Sequence, residues 1–428
     1  METQRLAANR NSRKPSFPKS FILAQPSWEN VRTGQSSKYP LRNALTVRYL
    51  LIKVKYLMKC RSRVVTALIS SVPAIARNGT ACAIAVAIVP AWSQVQLAPP
   101  SSGLINPRAI VFSPATGKIY AVDSAHDAVQ IYTDASRQVH RVKVGSAPVS
   151  IAVNAVNGRA YVANAGDGTL TVLDGTSDAI AATIPIGSHP YSVAVDPATG
   201  KIYVTHTFGD QLSILDGATN RATALKTGSS DLIAIDSRTG TIYLLGYGGA
   251  VKMLDGASRK VNEQIVGKHA WGLTLNDVTG AVYVTRIENA DLAVIERDSA
   301  NITTLPAGAI PCAIAVNTQT NQLYVANYGD NSVSIVDAAT GRMTATVSVG
   351  HHPKAIAFDA TRNLVFVANT SDGTVTAIDA VNTKVVATLP AGKSPYALAV
   401  VPGSNRVYVA NEDDNDSSTV VDFARIPN

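Results

Sequence analysis

Three histidines recur at matched places in this chain, and neutral imidazole is a common ligand for transition metals. They lie in Gly187-Ser-His189-Pro, Gly267-Lys-His269-Ala and Gly350-His-His352-Pro. An aromatic ring follows two residues after two of them, Tyr191 and Trp271, and Tyr396 stands at the same offset after Ser394. Rings of this kind can stack on a sugar or another flat ligand. His206 and Arg286 are further candidates, because each replaces an asparagine that recurs at the same place elsewhere in the chain. The candidate ligand-binding set is therefore His189, Tyr191, His206, His269, Trp271, Arg286, His352 and Tyr396. Within it, His189, His269 and His352 could hold a divalent metal; no other cofactor is implied. A plainer reading stands beside this one. His-Pro is an ordinary way to shape a loop, and the rings can pack against a neighbouring unit.

Other catalytic signatures are missing from the sequence. It has no Gly-x-Ser-x-Gly elbow, no phosphate-binding Gly-rich loop before a helix, no Cys-x-x-Cys-His and no paired-cysteine zinc spacing. Cys60 and Cys82 precede the region that holds the candidates, which leaves Cys312 alone in it and without an internal disulfide partner.

The elements that must position these residues are legible as a repeat. Tyr120, Tyr161, Tyr203, Tyr243, Tyr283, Tyr324, Phe366 and Tyr408 follow one another at gaps of 41, 42, 40, 40, 41, 42 and 42 residues. A period near forty with four strand-like segments inside it is the mark of a propeller blade. In the clearest unit, Ala313–Asn317, Gln322–Asn327, Ser332–Asp337 and Thr344–Gly350 read as strands separated by Gly, Asn, Asp and Thr turns. The fold expected is all-β, a β-propeller of four-stranded blades. Eight markers predict eight blades; seven is the alternative if the deviant unit around Tyr243 is not a true blade. The last unit ends after its third strand, so Gln94-Val-Gln-Leu97 is expected to close the ring as its fourth.

Each third strand ends in a carboxylate: Asp134, Asp174, Asp216, Asp255, Glu296, Asp337, Asp379 and Asp422. A feature present in every unit predicts structure rather than one active site. The expected role is an Asx turn, with the carboxylate accepting backbone N–H groups two residues on.

Charge divides the chain. Residues 1–92 hold 15 Lys/Arg and 2 Asp/Glu, whereas residues 93–428 hold 23 and 28. The basic balance of the whole, +8, therefore belongs to its head, and the mildly acidic body argues against a nucleic-acid partner. Residues 1–57 show no consistent period and read as a disordered or over-long N-terminal extension. Residues 58–93 read as a secretory signal: a basic start at Met58-Lys-Cys-Arg-Ser-Arg63, apolar runs, and small residues at Ala91-Trp-Ser93. The run Ala81–Ala91 is short of the roughly 20 residues of a membrane span. A membrane anchor is the alternative, with no span expected in the body, residues 94–428.

Tyr161-Val-Ala-Asn164, Tyr203-Val-Thr-His206, Tyr283-Val-Thr-Arg286, Tyr324-Val-Ala-Asn327, Phe366-Val-Ala-Asn369 and Tyr408-Val-Ala-Asn411 resemble the YVTN β-propeller repeat. The resemblance covers roughly residues 94–428. It implies a secreted, periplasmic or surface-associated propeller, mostly of seven blades, and passes on no shared catalytic set.

Propeller geometry places the fourth-to-first and second-to-third connections on one face, which varies from blade to blade and holds every candidate. The other face carries uniform turns. A site belongs on the variable face. The expectation is an exported binding scaffold for a protein, a polysaccharide or another polymer, or a small ligand. A metal-assisted lactonase or lyase with a central-channel site is the alternative, and nucleic-acid binding a second one.

Overall fold

The computed structural model describes residues 109–133, 138–246, 248–297, 301–412 and 418–423. They form eight antiparallel sheets in a ring, seven of four strands and one, the last, of three. No helix occurs among the described residues, and none is therefore long and apolar enough to cross a membrane. Numbered along the chain, blades 1 to 8 begin with the inner strands Ile110–Ser113, Pro148–Val153, Pro190–Val195, Leu232–Asp236, Ala270–Leu275, Pro311–Asn317, Pro353–Asp359 and Pro395–Val400. The eight-blade count expected from the markers holds. The Tyr243 unit is a complete blade, its strands Leu232–Asp236, Thr241–Leu245, Ala250–Asp255 and Val261–Ile265. Residues 94–97, expected to close the ring, lie outside the described residues, as do the proposed extension and signal segment.

Each blade lies between two neighbours, so both faces of its middle strands are covered. The second strand of blade 7, Leu364–Asn369, is buried at all six positions. The marker aromatics sit at these seams. Tyr161 of blade 2 packs with Ile202, Val204 and Leu215 of blade 3. Tyr324 of blade 6 packs with Val365, Val367 and Ile378 of blade 7. Blade 1 meets blade 8 through Ile119, Ala121 and Tyr132 against Ala399, Tyr408 and Val420, and this contact completes the ring. Outer strands such as Ile180–Pro185 alternate between exposed and half-buried residues, as one-sided strands do.

Boundaries in blade 6 differ from the sequence reading: the inner strand starts at Pro311 rather than Ala313, and the outer strand ends at Ser348 rather than Gly350. The outer strand of blade 6 runs Arg342–Ser348 rather than starting at Thr344. Asp337 pairs with Arg342 across a four-residue turn, so pairing resumes directly after Gly341, whose φ is +71°.

Five members of the carboxylate row form Asx turns, Asp174, Asp216, Asp255, Asp337 and Asp379. Asp216 Oδ1 accepts from Ala218 N at 3.0 Å and Thr219 N at 2.8 Å. Asp174, Asp255, Asp337 and Asp379 do the same two and three residues on. Backbone N–H donors hold the Asp174, Asp216, Asp255 and Asp379 carboxyls below their ordinary range; at Asp337 the Thr340 hydroxyl and N–H do so.

Candidate functional site at the mouth of the ring

The last residue of each second strand sits under the incoming loop that leads into its blade. In blades 2, 6, 7 and 8 it is an asparagine with no exposed surface. Asn327 Nδ2 donates to Ser332 Oγ at 3.0 Å and Ser334 Oγ at 2.9 Å, and its Oδ1 accepts Gly308 N at 3.0 Å. That glycine is required by closeness: a Cβ there would lie 2.7 Å from the Asn327 side chain. The asparagine thus clasps the third strand to the chain arriving from the previous blade.

His206 and Arg286 hold the same clasp with other chemistry. His206 is fully buried; its Nδ1 donates to Ser188 O at 2.8 Å and its Nε2 lies 2.8 Å from Ser213 Oγ. Because a carbonyl only accepts, the proton is on Nδ1. Burial lowers the His206 pKa, so the ring stays neutral. Arg286 grips both Asp291 oxygens, and its Nη1 donates to Val266 O at 3.0 Å. In blade 4 Gly246 stands at this place, and Lys252 on the facing strand donates to Ser229 O at 3.0 Å. Register puts Lys252 where other blades carry Thr171, Ser213, Ala293 and Ser334. Asparagine meets a hydroxyl, arginine meets alanine, and glycine meets lysine. The two positions share one volume and deliver one polar contact to the incoming loop.

His206 titration has a measurable consequence. With the folded pKa lowered, the unfolded chain binds a proton below about 6.5 that the folded chain refuses. This share of stability is present above pH 6.5 and is lost as pH falls below it. The expected slope is at most about 1.4 kcal/mol per pH unit. Urea midpoints from pH 7.5 to 5 should show less dependence in His206→Asn, which installs the clasp of the other blades.

The three matched histidines serve their own loops. His189, His269 and His352 have φ of +52°, +55° and +54°, and Ala147, Ile310 and Ser394 occupy the same loop position at +48°, +53° and +52°. The position needs a left-handed residue, which histidine tolerates better than most side chains. Their backbone oxygens accept Thr207 N, Ile287 N and Thr370 N. The rings turn to separate partners: His189 edge-on to Phe208 at 6.5 Å, His269 Nδ1 2.6 Å from Glu288 Oε1, and His352 stacked on Tyr328 at 4.4 Å. Among the described residues no three His, Cys, Asp or Glu side chains gather as a metal set.

A β-bulge supplies what the sequence reading did not single out. In blades 2, 3, 5, 6, 7 and 8 the inner strand carries one extra residue just after its start. Pro353 faces Asn369 and Ala355 faces Ala368, so Lys354 has no opposite number. Val149, Tyr191, Trp271, Cys312 and Tyr396 occupy the same place. Blade 4 lacks the bulge, and Asp231 stands there instead, its Oδ1 accepting Thr207 Oγ1 at 2.9 Å. Bulged side chains reach toward the next blade. Cys312 Sγ lies 3.1 Å from Pro353 O; Lys354 Nζ lies 4.3 Å from the centre of the Tyr396 ring and 3.4 Å from Glu412 Oε2. Trp271, Cys312, Lys354 and Tyr396 thus follow on four consecutive blades. Tyr191 stands two blades before Trp271, across Asp231. Val149, Cys312, Lys354 and Glu412 lay outside the candidate set read from the sequence. The signal available was length: Gly187 to Asp196 spans one residue more than Gly228 to Asp236.

Cys312 is a filler in this arc. Burial, only partly offset by the Lys354 charge, raises its pKa to about 12. The thiolate is the reactive form. Cys312 is therefore expected to resist Ellman's reagent in the native fold at pH 8 and to react fully in guanidinium.

Comparison with known proteins agrees with this architecture. Residues 266–385, which carry Trp271, Cys312 and Lys354, match the family described as Lactonase, 7-bladed beta-propeller. The hydrazine synthase of Kuenenia stuttgartiensis, 17% identical, superposes with a TM-score of 0.54 over 67% of this chain and 99% of that one. Sqt1 of Saccharomyces cerevisiae, 13% identical, gives 0.65 over 76% and 97%. No curated protein matches at the sequence level. These structural likenesses show the fold, and the chain is an eight-bladed β-propeller with one stretch similar to the lactonase propellers.

Proposed function

We propose that this protein is an exported binding scaffold, of the YVTN-repeat kind, that presents the mouth of its ring to a ligand or partner. The observation that carries this reading is where the blades differ. One extra residue in six of the eight blades gives Val, Tyr, Trp, Cys, Lys or Tyr at the mouth, while the opposite turns repeat the same Asx geometry. Trp271→Ala and Tyr396→Ala test it against Val156→Ser and Val381→Ser, which alter exposed positions on the opposite turns. Ligands found by thermal shift across glycan and metabolite panels should be lost in the first pair and kept in the second. Loss in the second pair alone would refute the reading. Cell fractionation tests export.

The match over residues 266–385 favours a second reading, lactone hydrolysis at the same mouth. Ring opening of simple lactones, followed by pH-stat with and without added divalent cations, separates the two. Turnover abolished by Lys354→Met would favour the enzyme.

A further inference from the structure

Lys354 brings a fixed cation to the mouth of the ring, and its setting favours one kind of ligand. Its Nζ lies over the Tyr396 ring at 4.3 Å and 3.4 Å from Glu412 Oε2, with the Lys354 and Glu412 side chains 24% and 32% exposed. A charge-assisted N–H···O contact closes to about 2.7–2.9 Å when nothing holds it apart. The pair is therefore long, and a ligand carboxylate can make the shorter bond. An ammonium has three donors, of which Glu412 takes one. The one cation seen on the Tyr396 ring, Lys354, has a carboxylate beside it. That balance suits a monoanion; a phosphate or sulfate dianion usually gathers several cations or an arginine fork. Glu412 supplies an acceptor for hydroxyl groups. Tyr396, and Trp271 at the same bulge position two blades before Lys354, are half-buried aromatic rings of the kind that pack against flat apolar faces such as the C–H face of a pyranose.

We propose that Lys354, Tyr396 and Glu412 bind a uronic-acid unit of a carbohydrate, Lys354 taking its carboxylate and Glu412 a hydroxyl. This rests on the reading that the mouth is the binding face. Lys354 acts here as a specificity residue.

Isothermal titration of the full chain with trigalacturonate, and with its methyl ester as a neutral isostere, tests the assignment. Trigalacturonate is expected to bind at least tenfold more tightly than the ester. Lys354→Met, which keeps the apolar stem, should lose that difference, and Lys354→Arg should retain most of it. Glu412→Gln keeps an acceptor and removes the competing charge, so it should bind trigalacturonate severalfold more tightly. Unchanged melting of each variant confirms folding. No binding of trigalacturonate overturns the proposal, as does equal binding of acid and ester, or a Lys354→Met variant that binds like the parent. Loss in Glu412→Gln overturns it too, because the glutamate charge would then hold the sugar. If acid and ester bind equally and both fail in Trp271→Ala, the uronate assignment falls while the mouth stands as the binding face. If neither Trp271→Ala nor Lys354→Met alters binding, both fall together.

Discussion

Tyr324→Ala is expected to lower unfolding stability by about 3–5 kcal/mol, the range for removing a large buried aromatic. Tyr324 has no exposed surface, and its ring stacks on Phe358 of the next blade at 5.4 Å and 24°. It also packs with Val333 and Ile335 of its own blade and Val365 and Val367 of the next. The side chain therefore bridges two sheets, and its loss opens a cavity on the seam between them. Tyr324→Phe keeps the ring and removes only the hydroxyl that donates to Gln322 Oε1 at 3.0 Å, so it should cost about 1 kcal/mol. Guanidinium melts followed by circular dichroism check both. Equal effects of the two substitutions would mean that the hydroxyl, and not the ring, holds the seam.

Asp123→Ala is expected to cost a similar amount, about 3–5 kcal/mol, by breaking a buried charge network. Asp123 occupies the clasp position of blade 1 and is fully buried. Its Oδ1 accepts His126 N at 3.2 Å and lies 2.9 Å from His126 Nδ1. Its Oδ2 accepts Gln130 Nε2 at 3.2 Å and pairs with Arg141 Nη2 at 3.1 Å. Alanine would strand the buried Gln130 Nε2 and leave the one-third-exposed Arg141 guanidinium without its carboxylate. Asp174→Ala is the contrast, an Asx turn on the surface, where the loss should stay near 1 kcal/mol. Chemical denaturation of the two variants side by side decides; a cost at Asp174 as large as at Asp123 would contradict the network.

The wheel was legible in the sequence because eight copies average out local ambiguity. One strand of Tyr-Val-Ala-Asn type is a weak signal, but eight at a steady period leave little freedom. Strand ends were less visible: the outer strand of blade 6 starts at Arg342, two residues early, because turn length is set by a left-handed glycine and not by composition. The site was read by residue type, and backbone geometry gives several of those residues a task of their own. His189, His269 and His352 attract attention as ligands, yet Ala147, Ile310 and Ser394 adopt the same backbone at the same position. His206 and Arg286 differ from asparagine in chemistry but not in task, and the direction of a side chain at a strand end is not written in its neighbours. Lys354 was hidden because a bulge leaves only a one-residue difference in loop length, with no motif of its own.

The unpaired position at the head of six inner strands has a consequence for change over time. A residue that has no partner across the ladder can be exchanged without shifting the hydrogen bonds on either side of it. The lettering around the axle can therefore be rewritten one spoke at a time while rim and seams stay as they are, and descendants of this chain can change what they display there without relearning how to fold.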